Sequence, residues 1–308
     1  MANPIGVPVG YGAGTGMTSI EQVRAEARWA EDAGFDSFWL SQIFGVDPIV
    51  ALAAVGAGVP GLARLGTSVV PLVGRHPLAL AAQARTAQSA LDGRFVLGVG
   101  PSHAMVSEGF FGEPYDRPFS RTREFLSVLA PLLRGENVDL GGEIVEAHGW
   151  LTIDATPCPI FLAALGPRML ELAGRTVAGT TLSSCGPRTI AAHIAPVINA
   201  VAADAGRPPP QIQAMVEVAV TDDPAAAHAE SVESGQLYAA LPAYRRVLDL
   251  EGIESGADLL LAGSIDRIVD GLRSYVDAGA TELRLCIGSS DGRVIGATRD
   301  ALGSLLTS

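Results

Sequence analysis

Leu65-Gly-Thr-Ser-Val-Val-Pro-Leu-Val73, then Arg75-His-Pro77, then Arg94-Phe-Val-Leu-Gly-Val-Gly100 and Pro101-Ser-His103 form the stretch on which the fold turns. The first run is apolar and punctuated by Gly66 and Pro71, which reads as a strand. Arg75-His-Pro77 breaks it and opens an Ala-rich helix from about Leu78 to Leu91, stopped by Asp92-Gly93. The run from Arg94 to Gly100 is a second buried strand, and Pro101-Ser-His103 sets polar groups past its C-terminal end. Two short apolar runs around one helix are the pattern of a βαβ unit with parallel strands. In such folds ligands gather at the carboxyl ends of the strands.

Working outward, Ile5 to Val9 reads as a first strand and Gly10-Tyr-Gly-Ala-Gly-Thr-Gly16 as a pliable loop. That loop fails the dinucleotide fingerprint, because its third glycine position holds Thr15. Ser19-Ile-Glu-Gln22 reads as a capping box for a helix ended by Gly34, and Ser37 to Ser41 as strand 2 with Gln42 at its mouth. Asp47-Pro48 caps the next helix.

The alternation breaks over residues 104–157. Phe110 to Tyr115 is loop-like, Ser120 to Leu133 helical, and Val138 to Val145 a hairpin turning on Gly141-Gly142. Further strands are expected at 159–163, 179–183, 212–220 and 282–287, with helical segments at 223–239, 243–250 and 264–278. Glu31-Asp-Ala-Gly34 before strand 2 is echoed by Val276-Asp-Ala-Gly279 before the last strand. Eight strands alternating with helices predict an α/β chain folded as a (β/α)8 TIM barrel, one domain over 1–308 with a lid-like insertion at 104–157 after strand 4.

The bulk numbers exclude several functions. The net charge of −12 over 308 residues disfavours a nucleic-acid or anionic-membrane partner. All 21 basic residues are arginine, so neither a Schiff-base nor a Walker A lysine exists. Cys158, Cys185 and Cys286 are too few and scattered for a disulfide framework, and Cys185 is expected as a small buried residue. Met1 to Gly6 has no basic region before an apolar core, so no signal peptide is expected, and the longest apolar run, Ile49 to Val59, is short for a bilayer, so the chain reads as cytoplasmic.

The strand exits collect Gln42, Ser68 to Pro71, Gly100 to His103, Leu165-Gly166, Ser183 to Gly186 and Ile287 to Ser290. This rim has no carboxylate pair, no metal-ligand spacing among the five histidines and no nucleophile elbow. Small, hydroxyl-bearing and glycine-rich, it suits a bound cofactor that carries the reaction itself.

At these residues the chain resembles the luciferase-like monooxygenase superfamily, and within it the oxidoreductases that use the deazaflavin coenzyme F420. The resemblance rests on Leu65 to Pro71, Arg75-His-Pro77 with Ala81, and Gly93 to Gly100. Ser37 to Ser41, Arg121 with Glu124, and Ala163-Ala-Leu-Gly-Pro167 add to it. It implies a barrel with insertions and a non-prolyl cis peptide in strand 3, which falls here at Ser68–Val69. It also implies cofactor contacts at Gln42, Ser68, Val69, Gly100, Pro101, Ser102, His103, Ala164, Ser183 and Ser184.

The chain departs from the family's sugar-phosphate dehydrogenases: Gln42-Ile43 replaces their Asp-His pair, and no lysine is present for a substrate phosphate. His103 either donates a proton to the substrate or caps its loop. Gln42 meets the ring edge or fills a polar niche, and Tyr115 lines a channel or anchors its loop. His76 is expected to fix the strand 3 exit, and Arg121 with Glu124 to form a surface pair.

The expected activity is hydride transfer between F420 and a small organic acceptor, an activated alkene or a carbonyl. The alternatives are an FMN-dependent monooxygenase, which would consume oxygen, and a non-catalytic flavin or deazaflavin binder. Apolar positions over Val50–Val59 and Leu78–Ala90 suggest a homodimer.

Overall fold

The computed structural model describes residues 3–307 apart from 15, 43 and 240. Thr15, Ile43 and the first two residues, on which parts of the sequence reading fall, lie outside the described residues.

The elements alternate as the sequence predicts. β1 (Val9–Gly12), α1 (Ile20–Asp32), β2 (Ser37–Leu40), α2 (Pro48–Val55) and β3 (Arg64–Thr67) come first. A bulge separates β3 from β4 (Val70–Pro71), before α3 (Pro77–Ala90) and β5 (Phe95–Gly100). The insertion holds α4 (Ala104–Gly109), α5 (Pro118–Leu133) and a hairpin of β6 (Val138–Gly141) and β7 (Glu146–Gly149). Then follow β8 (Ile160–Ala163), α6 (Pro167–Thr176) and β9 (Gly179–Leu182). A helix with a π-type middle comes next, α7 (Pro187–Thr189) running through Ile190–Ile194 into α8 (Ala195–Asp204). The chain ends with β10 (Gln211–Val220), α9 (Pro224–Ala239), α10 (Pro242–Glu251), β11 (Leu261–Gly263), α11 (Ile265–Asp277), β12 (Glu282–Ile287) and α12 (Gly292–Thr307).

Parallel pairing runs β1–β2–β3–β5–β8–β9–β10–β12 and returns to β1, a closed eight-stranded barrel. These are the eight strands expected from the sequence. The extra strand β11, which sequence reasoning missed, pairs only with the C-terminal end of β10. Among the described residues no helix is long and apolar enough to cross a membrane.

Period-two alternation sorts each strand. Along β10, Ile212, Ala214, Val216 and Val218 are at most 1% exposed and face the helices, which leaves Gln213, Met215 and Glu217 for the interior. The lower interior is plugged by Trp39, Val96 and Phe161, with the Trp39 and Phe161 rings stacked at 5.8 Å. Trp39 lies so close to β3 that a Cβ on Gly66 would sit 2.1 Å from its ring. The two echoed segments are real repeats: Gly34 and Gly279 both adopt positive φ at a helix end, and the strands that follow, β2 and β12, flank β1.

Four local expectations need correction. The first strand is Val9–Gly12, not 5–9, because Val9, Gly10 and Tyr11 pair with Leu283, Arg284 and Leu285. The glycines there make room for interior side chains and are not a loop. Gln22 accepts from Thr18 N at 2.8 Å, so Ser19 caps α1 without a reciprocal box. The hairpin turn lies at 142–145, after Gly141, and its second strand at Glu146–Gly149.

Arg121 and Glu124 do not pair. Glu124 is 9% exposed and accepts from Ile144 N and Val145 N, pinning the hairpin to α5, while Arg121 lies 3.5 Å from Glu113. The apolar run of α2 is mostly spent on the barrel: Ile49, Ala51, Leu52 and Val55 are buried, and Val50 remains 59% exposed.

Candidate active site at the barrel mouth

The bulge between β3 and β4 forms the floor of the mouth. Its Ser68–Val69 peptide is cis, as the resemblance implied. Ser68 N donates to Leu40 O at 2.7 Å and Gln42 N to Val69 O at 3.2 Å, so the bulge stays stitched to the end of β2. The Ser68 carbonyl accepts from Ser41 Oγ and, at 3.0 Å, from Arg284 Nη1. Ser68 Oγ meets Thr181 Oγ1 at 3.0 Å across the interior. Ser68 is thus held through its N–H, carbonyl and hydroxyl from below or from the side, and Val69 stays partly exposed.

The other expected positions surround this floor. Gly100 ends β5, and Leu72 N donates to its carbonyl at 3.0 Å. Pro101, Ser102 and His103 follow, with Ser102 in the left-handed region at φ 66°. The Tyr115 hydroxyl donates to Ser102 O at 3.0 Å, so Tyr115 is the anchor of that loop. His103 stands at the start of α4 with its ring 5.7 Å from that of Tyr244, and burial holds its imidazole below the ordinary histidine value.

Ala164 is buried, and the next carbonyl, Leu165 O, meets His193 Nε2 at 3.0 Å. Ser183 Oγ lies 3.8 Å from Met215 Sδ, and Ser184 takes φ 52°. Gln42 Oε1 accepts from Arg75 Nη2 at 2.7 Å, and the same Arg75 nitrogen pairs with Asp47 at 2.7 Å. Gln42 therefore fills a polar niche through its oxygen. His76 caps α3, its Nδ1 accepting from Leu78 N at 3.3 Å, and Cys185 is buried as expected.

The sequence reading missed the contribution of β10 and β12. Met215 and Glu217 of β10 stand level with Arg284 and Cys286 of β12. Glu217 accepts from Ser231 Oγ at 3.3 Å, and burial raises its carboxyl above the usual range. α9, which carries Ser231, is tied down again where Ser289 Oγ and Ser290 N donate to Glu230. The signal was present in the sequence: Gln213, Met215, Glu217 and Glu282, Arg284, Cys286 recur every second residue in otherwise apolar strands. Among the described residues no group of three or more His, Cys, Asp or Glu could hold a metal.

Comparison with known proteins agrees with this geometry. The luciferase-like monooxygenase profile matches residues 3–282. An F420-dependent glucose-6-phosphate dehydrogenase of Nocardia farcinica is 30% identical over 283 residues, covering 82% of this chain and 84% of that protein. A 5,10-methylenetetrahydromethanopterin reductase of Methanolobus tindarius is 27% identical over 243 residues, 78% of this chain and 73% of the relative. Among solved structures, an F420-dependent secondary alcohol dehydrogenase in complex with an F420–acetone adduct superposes with a TM-score of 0.80. It is 17% identical, over 98% of both chains, and speaks for the fold alone. With the barrel, the cis bulge and a match over nearly its whole length, the chain belongs to the luciferase-like monooxygenase family.

Proposed function

We propose that the protein is an oxidoreductase that exchanges a hydride between the deazaflavin coenzyme F420 and a small carbonyl compound or activated alkene. The observation that carries this reading is the small, hydroxyl-lined barrel mouth floored by the Ser68–Val69 bulge, in a chain that matches the luciferase-like profile over residues 3–282. The relatives described as F420-dependent support the choice of cofactor.

The residues present fit such a group. The buried Arg284 Nε has no hydrogen-bond partner, and Ser102 and Ser184 take positive φ, a conformation that recurs in anion-binding backbone turns. Val69 and the Gly100–His103 loop would hold the ring, with Gln42, Ser68 and Ala164 around it. Ser183 and Ser184 would take the ribityl and phosphate end. Bound there, the deazaflavin supplies or accepts the hydride.

His103 handles the proton in this scheme. Its neutral imidazole accepts the hydroxyl proton of an alcohol when hydride leaves the substrate, and the protonated ring returns it in the reverse direction. A sugar phosphate is disfavoured as acceptor, even though that substrate class names several relatives. No lysine exists to meet its phosphate, and Gln42 holds one of the two positions of their Asp-His pair.

Titration with F420 and, separately, FMN, followed by quenching of cofactor fluorescence, tests the reading. Micromolar binding of F420 alone supports it. Preference for FMN moves the enzyme to the oxygen-using branch, and binding of neither rejects both.

A further inference from the structure

Arg284 is 4% exposed on the inner face of β12, with its backbone level with Gly10. Its stem climbs past the next inward position of β1: a Cβ on Gly12 would lie 3.1 and 3.2 Å from Arg284 Cγ and Cδ. The side chain thus spans from mid-barrel to the mouth, where Nη1 donates to the carbonyl of the cis peptide at 3.0 Å.

Its charge is unpaired. Among the described residues no carboxylate lies within ion-pairing distance of this guanidinium. Glu282, two residues back on the same face, is engaged lower in the barrel by Arg64 Nη1 at 3.0 Å and Ser37 Oγ at 2.9 Å. Nε is buried without a hydrogen-bond partner. The titratable groups that face it are Cys286 and Glu282 from its own strand and Tyr244 from α10. Glu282 is committed to Arg64 and Ser37, and burial raises the Cys286 thiol, so neither serves as the arginine's counter-ion. A guanidinium does not deprotonate in response; it stays charged. An uncompensated buried cation is costly to the fold, and its benefit appears when an anion arrives.

We infer that Arg284 is a positioning residue that sets the charge of the ring bound over the Ser68–Val69 platform, favouring the ionised ring over the neutral one. The inference rests on the proposed cofactor. The oxidised deazaflavin carries an ionisable ring hydroxyl; on ionisation its proton goes to water and no electrons move. The positive field of Arg284, little screened inside the barrel, lowers the cost of the anion.

The test is a pH titration of the visible absorbance band of the ionised ring, for free F420 and for F420 bound to wild type, Arg284→Met and Arg284→Lys. Affinity is read in parallel by fluorescence quenching, and folding by circular dichroism. In wild type, bound F420 keeps its ionised band to a pH about one unit lower than free F420, a tenfold change in the ionised-to-neutral ratio. Arg284→Met abolishes that difference, and Arg284→Lys restores part of it. Bound and free F420 titrating alike in wild type, or wild type and folded Arg284→Met titrating alike, overturns the role of Arg284 while leaving the cofactor reading intact. Failure of wild type to bind F420 overturns both. If Arg284→Met does not fold, the wild-type comparison with free cofactor decides alone.

Discussion

Ser68 Oγ and Thr181 Oγ1, 113 residues apart in the chain, meet at 3.0 Å inside the barrel and join the bulge to β9. Thr181 commits its proton to Gln213 Oε1 at 2.8 Å, so Ser68 is the donor in the first bond. Thr181→Val keeps the shape but strands both neighbours. It is expected to destabilise the fold by about 1–3 kcal/mol, measured by urea unfolding. Adding Ser68→Ala should cost less than the sum of the two single changes, because the stranded hydroxyl goes with it.

Glu124 gives a pH dependence of known sign. Backbone N–H donation from Ile144 and Val145 holds its carboxyl below the usual range. The depressed value means that its contribution is fully present above the unfolded glutamate value of about 4.3 and fades as pH falls through the folded value. Glu124→Ala, which leaves two N–H groups without their acceptor, is expected to cost about 1–3 kcal/mol at neutral pH and almost nothing extra in strong acid. Limited proteolysis of the 142–145 turn checks it, since the clasp holds that turn to α5.

Gly98 separates packing from chance. A Cβ there would stand 1.8 Å from Thr67 O, a backbone atom that cannot swing away. Gly98→Ala is therefore expected to cost about 3 kcal/mol or more, above the usual overpacking penalty, and to displace the neighbouring bulge. Gly14→Ala, which meets nothing within 4 Å, is the control and should unfold with wild type in a thermal melt.

These contrasts show what a reader of the sequence can and cannot obtain. The eight barrel strands were legible because each is a short apolar or alternating run between helix signals. The cis bulge was legible only through family resemblance. Gly10 and Gly12 were misread as loop, because their reason lies in Trp39 and Arg284, side chains from distant strands. Glu124 was misread as a surface partner of Arg121 for the same cause: its acceptors' partners come from a hairpin 20 residues on. The polar positions at the exits of β2 to β5 that the sequence offers do converge at the barrel mouth. Arg284 and Glu217 escaped because their strands were taken as plain core, with alternation left unexamined.

His103 should leave its mark on the pH profile. With its value held down by burial, the imidazole is neutral at pH 7, so reduction of a carbonyl by the reduced cofactor is expected to quicken as pH falls toward that value. His103→Asn should remove this acidic limb and lower kcat by roughly 10²–10⁴. Unchanged F420 affinity in the variant would separate proton transfer from binding.

The Cys158 and Cys185 thiols are expected to be inert. Burial pushes Cys158 up to about 12 and raises Cys185 further, so neither is a thiolate at neutral pH. Ellman's reagent should react with them only as the protein unfolds. In a Cys286→Ser background, needed because Cys286 is only partly buried, the reaction reports unfolding, and rapid reaction of either remaining thiol in the native protein would contradict its burial.

The register that joins Val9 to Leu283 has a consequence for how the chain is made. The first strand has one neighbour within the opening forty residues and waits for the other until nearly the whole polypeptide has left the ribosome. Until then both β1 and β10 present an open edge, and the interior that Trp39 and Arg284 later share is a trough open to water. Such an edge invites pairing with other chains. Shortening the chain just before Glu282 should yield not a smaller enzyme but an aggregating one, held in solution only by a chaperone.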